Sequence, residues 1–94
     1  MNSFQQWVMR EAPGFGFTVT LCGNWVRLHY GHCQVEVMSE RGVQAIFAYR
    51  NALGDLNFKP AIFASALAEM GFSADPVAFL TCYMRNARFC GESV

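Results

Sequence analysis

Residues 15–38 read FGFTVTLCGNWVRLHYGHCQVEVM, and the alternation within them decides the fold. Phe17, Val19 and Leu21 alternate with Thr18 and Thr20. Val26, Leu28 and Tyr30 alternate with Trp25, Arg27 and His29, and Cys33, Val35 and Val37 with Gln34, Glu36 and Met38. A period of two sends successive side chains to opposite faces of a strand, so the stretch holds three strands. A two-residue hairpin loop fixes the register of the strands it joins. With Gly23-Asn24 as the first loop, Leu21 faces Val26, Val19 faces Leu28 and Phe17 faces Tyr30. With Gly31-His32 as the second, Tyr30 faces Cys33, Leu28 faces Val35 and Val26 faces Val37. Two independent loops gather the apolar residues on one face, which predicts a three-stranded antiparallel meander.

Helical spacing flanks this meander. Ser3 with Gln6 has the form of a capping box, and Phe4, Trp7 and Val8 share a helical face before Pro13 ends the pattern. After the meander, Ser39 is the expected N-cap of a second helix with Val43, Ile46, Phe47 and Leu53 inward, Gly42 weakening its first turn and Gly54 stopping it. Pro60 opens a third helix, whose Ile62, Phe63, Ala66, Leu67 and Met70 run to Gly71. Asp75-Pro76 caps and starts a fourth, with Val77, Leu80, Tyr83, Met84 and Ala87 inward as far as about Cys90. The expected fold is α+β in a single globular domain spanning residues 1–94: a short N-terminal helix, the meander, then three helices packed on one sheet face.

Composition narrows the function classes. Seven Lys plus Arg balance seven Asp plus Glu, and only 15% of residues are charged, against about 25% in ordinary globular chains. Phosphate neutralisation needs clustered cationic excess, so nucleic acid is not an expected partner. Hydrophobic residues make up 53% of the 94, and a domain this small buries only about 60–65% of its unfolded surface. Some apolar surface therefore stays exposed or meets a partner, and zero net charge removes the repulsion that keeps copies apart. Association follows, with another protein and with a second copy of the chain as a homodimer. No apolar run is long enough for a membrane span, and the N-terminus lacks a cationic segment leading into an apolar one, so a cytoplasmic location is expected.

The polar face of the meander is the surface the register describes best. Thr20, Arg27 and Glu36 line up across three strands, as do Thr18, His29 and Gln34, with Trp25, Met38 and Cys22 at the end beside the first hairpin. Trp and Arg are the residue types that dominate binding energy in interfaces, so Trp25, Arg27, His29, Glu36 and Met38 are the expected partner-binding residues. The competing arrangement folds the first helix over this face and packs Trp7 on Trp25. Arg85 and Arg88, three apart on the last helix, form a second candidate contact, with Arg50 a possible neighbour. The same cations also suit a helix C-terminus.

No cofactor or metal is expected. Cys22, Cys33, Cys82 and Cys90 are spaced by 11, 49 and 8, which fits neither a CxxC pair nor a zinc ribbon. Alternation sends His29 and Cys33 to opposite faces and leaves His32 in a turn. No local Cys or Ser, His and carboxylate triple assembles, and Gly14-Phe15-Gly16 leads into a strand rather than into a phosphate-binding helix. A thiol-dependent enzyme or sensor built on the four cysteines is the third-ranked function.

Three resemblances remain. Residues 63–82, FASALAEMGFSADPVAFLTC, resemble a helix-turn-helix with Gly71 at the turn, Ser73 two residues on, and Met70, Val77 and Leu80 as anchors. This makes a DNA-binding regulator using residues 60–90 the second-ranked function. The stretch departs from the motif at Leu67, where a small residue is usual, at Pro76, and at a reading helix that offers Ala78, Phe79 and Thr81 in place of base-reading groups until Arg85 and Arg88. Met70-Gly71-Phe72 is similar to the ubiquitin-binding loop of ubiquitin-associated domains, over three residues only, and a glycine helix stop followed by an apolar residue packing back on the helix accounts for it much better. Finally, a small chain without catalytic motif, cofactor loop or export signal resembles accessory and inhibitor proteins of phages and mobile elements, including those directed at host defence complexes. That likeness is one of size and class, carried by no residue. The leading expectation is a small non-enzymatic protein-binding module.

Overall fold

The sheet forms in the register that its two loops dictate. A computed structural model of the chain describes residues 1–72 and 75–89; Ser73 of the helix-turn-helix comparison, and Cys90, lie outside them. β1 (Thr18–Cys22), β2 (Trp25–Tyr30) and β3 (Cys33–Val37) stand in the order β1-β2-β3, each antiparallel to the next. Val19 pairs with Leu28 and Leu21 with Val26, and these continue to Val35 and Val37 on β3. Gly23 and Gly31 take φ of 56° and 59°, while among the described residues none other than glycine has positive φ. A glycine first and a negative-φ residue second is the pattern of the type II′ turn, whose twist matches that of the strands it joins.

The apolar face of this sheet is the floor of the core, where Val26, Leu28 and Val37 are buried. α1 (Ser3–Glu11) packs on that floor beneath β1 and β2, followed by a 3-10 turn over Ala12–Phe15. Its capping box lies one residue before the expected Ser3–Gln6. Asn2 is the N-cap, accepting from the Gln5 N–H at 2.8 Å, and the Gln5 Oε1 accepts from the Asn2 N–H at 3.1 Å. Asn caps as well as Ser does, and the shift turns Gln5 inward.

α2 (Glu40–Asn57) starts where expected: the Ser39 hydroxyl oxygen accepts from the Gly42 N–H at 3.1 Å. Gly54, at φ 72°, interrupts the helix, and a further turn resumes to Asn57, so the expected stop is a kink. Gly42 also has a role that helix propensity does not reveal. A Cβ there would lie 2.7 Å from Val37 Cγ1, so only glycine lets α2 begin this close to the end of β3.

α3 (Pro60–Met70) lies against β3, and α4 (Pro76–Phe89) packs on α3 and α2. Asp75 caps α4 by accepting from the Ala78 N–H at 2.9 Å. The inward face of α4 is rotated from the expected one. Phe79, Cys82 and Tyr83 are buried, whereas Val77 is 73% exposed and Met84 faces solvent. The Phe79 ring stacks on Tyr49 at 4.0 Å and meets Phe63 edge-on at 5.4 Å. A helix with apolar residues around much of its circumference has no dominant period, so this aromatic stack decides which side turns in.

Candidate protein-binding face of the sheet

The four helices gather on the apolar side of the sheet, and among the described residues none packs across its polar side. Trp7, the residue that the competing arrangement sets on Trp25, instead packs against Phe47 of α2 with ring centroids 5.9 Å apart. Gln5 holds α1 in place by donating from Nε2 to the carbonyls of Gly23 at 2.8 Å and Trp25 at 3.0 Å. These bonds reach the hairpin backbone and do not cover the Trp25 indole.

On the open face the side chains are coupled across the strands. Arg27 Nη2 donates to Glu36 Oε1 at 2.8 Å, the pair the register implies. The Arg27 guanidinium lies 5.9 Å from the centroid of the Trp25 ring, within cation–π range. Thr20 Oγ1 and His29 Nε2 are 2.8 Å apart, joining β1 to β2 one row away. Trp25, Arg27 and His29 are half-buried, Glu36 is exposed, and Met38 at the end of β3 is 73% exposed. The result is an aromatic ring, a guanidinium with its counter-charge, an imidazole and a thioether on one continuous surface. Partial burial holds the rings in place, so their faces are presented with little rotamer entropy left to lose.

The second candidate divides. Arg85 forms an ion pair with Glu69 of α3, so its charge is locally matched. Arg88 is exposed at the end of α4. Arg50 cannot join them: it is buried, its guanidinium lying 4.7 Å from the Phe58 ring and 5.3 Å from that of Tyr30. Arginine's weakly hydrated planar head suits an aromatic slot, and no sequence signal marks it as internal.

Cys22 is half-buried on the polar face, Cys33 half-buried on the apolar one, and Cys82 buried in α4. Cys82 Sγ is approached by Asn86 Nδ2 at 3.4 Å and Arg85 Nη2 at 3.6 Å. His29 and Cys33 stand on opposite faces and His32 is exposed in its turn. Among the described residues no three of His, Cys, Asp and Glu form a metal-holding group.

One feature beside the face had no sequence signal. A groove of about 450 Å³ runs between β3 and α3, lined by Gln34, Val35, Leu67, Ala68, Gly71 and Phe72 among others. It depends on how far α3 stands from β3, which is set by tertiary packing. Among the described residues no helix is long and apolar enough to cross a membrane. No family model, curated protein or solved structure matches the chain.

Proposed function

We propose that this chain is a small non-enzymatic protein-binding module that docks another protein on the outer face of its sheet. Trp25 and Arg27 are the central contacts, with His29, Glu36 and Met38 around them and Arg85 and Arg88 as a secondary site. The observation that carries the reading is the Arg27 guanidinium, placed beside the Trp25 ring and paired with Glu36 on the side of the sheet away from the packed helices among the described residues. Trp and Arg are the residue types that most often anchor an interface, and here both stand on the central strand of a polar-rimmed surface. Size and class point the same way, toward inhibitor or accessory proteins of phages and mobile elements that act on a host defence complex.

Two other readings have less support. A DNA-reading α4 needs polar groups on its outward side, yet Phe79 is buried in the core and Arg85 is engaged by Glu69. The Thr20–His29 pair supplies a hydroxyl and an imidazole, but Glu36, the carboxylate that the strands carry on this face, is committed to Arg27. A nucleophilic site needs that third group to orient the imidazole. The deciding experiment is affinity capture from cells that encode the chain, with Trp25→Ala and Arg27→Ala run alongside. A protein retained by the parent and lost from both folded variants supports the proposal. Equal capture by all three places the contact elsewhere.

A further inference from the structure

β1 has a partner on one side only: β2 pairs with it, and among the described residues nothing pairs along its other edge. Cys22 and Trp25 flank a two-residue loop and so form a hydrogen-bonded pair, which makes Thr20 and Thr18 hydrogen-bonded to β2 in turn. The alternate residues, Val19 and Leu21, direct their N–H and C=O groups to the open side. Proteins normally guard such an edge with charge, proline, a bulge or a covering element. β1 reads Thr-Val-Thr-Leu-Cys and pairs with β2 without a bulge. β3 is different, because it carries Glu36 and has α3 alongside.

We propose that β1 pairs with β1 of a second copy, antiparallel about a two-fold axis at Thr20, turning the three-stranded sheet into one continuous sheet of six. The backbone fixes this centre. Val19 and Leu21 hold the free groups, so Val19 faces the partner's Leu21 as a hydrogen-bonded pair, and Leu21 faces the partner's Val19. Thr20 then faces its own copy in a non-hydrogen-bonded pair, and Thr18 faces the partner's Cys22. Apolar side chains meet apolar ones on the inner face and small polar ones meet on the outer face. One uncharged strand is thus complementary to itself, which is what an isologous contact requires.

The layer beneath the strand supplies the second observation. Leu21 is 40% exposed and Met9 43%, two of the few large hydrophobic residues so exposed among those described. Met9 stands two positions from Trp7, roughly 160° around the helix, and Trp7 faces α2. The Met9 flank therefore looks away from α2, past β1. Bringing two edges together covers Val19, Leu21 and Met9 of both copies, and zero net charge leaves no long-range repulsion against it. The inference stands apart from the outer-face proposal: the axis runs through the edge and leaves Trp25, Arg27 and Glu36 free.

Sedimentation of the full chain at micromolar concentration is expected to give a dimer. Leu21→Lys sets a cation on the edge in both copies and is expected to weaken the dimer roughly a hundredfold, about tenfold for each symmetric contact. Opposed residues of a non-hydrogen-bonded pair have Cα atoms ~4.5 Å apart, within disulfide range. Thr20→Cys in a Cys22→Ser background is therefore expected to form a covalent dimer on oxidation, and Gln34→Cys in the same background to stay single. The crosslink keeps the test decisive if Leu21→Lys fails to fold. A parent chain that stays monomeric at hundreds of micromolar, or one whose dimer survives Leu21→Lys while Thr20→Cys does not crosslink, overturns the proposal. Loss of partner capture in Trp25→Ala with the dimer intact bears only on the outer face.

Discussion

The side-chain amide of Gln5 donates to the backbone carbonyl of Gly23 at 2.8 Å, tying the first helix to the first hairpin across 18 residues of chain. The same nitrogen donates to the Trp25 carbonyl, and the same side chain's oxygen completes the capping box with Asn2. Three backbone groups thus depend on one buried amide. Gln5→Leu strands them, and a buried polar group left unmatched costs about 1–3 kcal/mol. Gln5→Glu keeps the acceptor for Asn2 but sets a carboxylate against two carbonyls, so at neutral pH it is expected to be the more damaging change. Denaturant unfolding of both variants, with the loss in Gln5→Glu partly recovered in acid, checks this. A neutral Gln5→Leu would show that α1 is held by packing alone.

At the other end of the sheet, Gly42 and Val37 are linked by space. Alanine is favoured over glycine inside a helix by about 1 kcal/mol, so propensity alone predicts that Gly42→Ala stabilises. Its Cβ would lie 2.7 Å from Val37 Cγ1, a short branched group fixed in the core. Overpacking of this kind costs about 1–3 kcal/mol, and Gly42→Ala is expected to be destabilising on balance. Pairing it with Val37→Ala, which removes the clashing methyl, is expected to give less than the sum of the two losses. Additive losses would mean that no clash exists.

These two sites show what the sequence made legible. The register of the meander was open to inspection because each two-residue loop begins with glycine and the alternation on both sides agrees with it. Arg27 opposite Glu36 follows from that register alone. The rotation of α4 was hidden, since Val77, Phe79, Leu80 and Met84 offer competing faces and the choice rests on a ring of α2, Tyr49, thirty residues earlier. Gly42 read as a weakness because its reason lies in another element. Arg50 reads as part of a surface cationic patch and Gln5 carries no mark of an inward role, because nothing local records an aromatic slot or a pair of waiting carbonyls. Local periodicity encodes register, while the fit between elements is written only in their contact.

Tyr49 gives the chain a dependence on alkaline pH. Burial of the phenol raises its pKa above the usual value of 10.0, and the Asp75 carboxylate acts in the same direction. The unfolded phenol ionises near ~10 and the folded one only above that. The folded state therefore keeps the full contribution below the unfolded value. As pH rises past it the unfolded chain sheds its proton first, and stability falls through the folded value. Thermal melts across this range are expected to drop less steeply for Tyr49→Phe than for the parent. Asp75→Asn, which keeps a good N-cap, is expected to shift Tyr49 ionisation toward the ordinary value. Identical alkaline profiles for the parent and Tyr49→Phe would rule out this linkage.

The outer face is tested by separating binding from stability. Arg27 and Glu36 are both partly solvated, and an exposed pair of this type contributes about 0–1 kcal/mol to folding. Arg27→Ala is therefore expected to lower the melting temperature by no more than ~4–8 °C, the shift that about 1 kcal/mol produces in a domain of this size. Trp25 stands on the half-buried side of the same face, and truncating it removes the ring beside which Arg27 lies. In an interface, loss of a central indole or guanidinium costs ~2 kcal/mol or more, well over tenfold in affinity. Glu36→Gln separates two roles for the arginine. If Arg27 meets an acidic group on the partner, releasing it from Glu36 leaves affinity unchanged or improves it. If the ion pair itself is the contact, Glu36→Gln weakens binding as Arg27→Ala does. Titration calorimetry against the captured partner, with melting curves for each variant, measures both quantities. Unfolding of Trp25→Ala at room temperature would show that this ring belongs to the core, and full affinity in all three variants would move the contact to the end of α4 around Arg88.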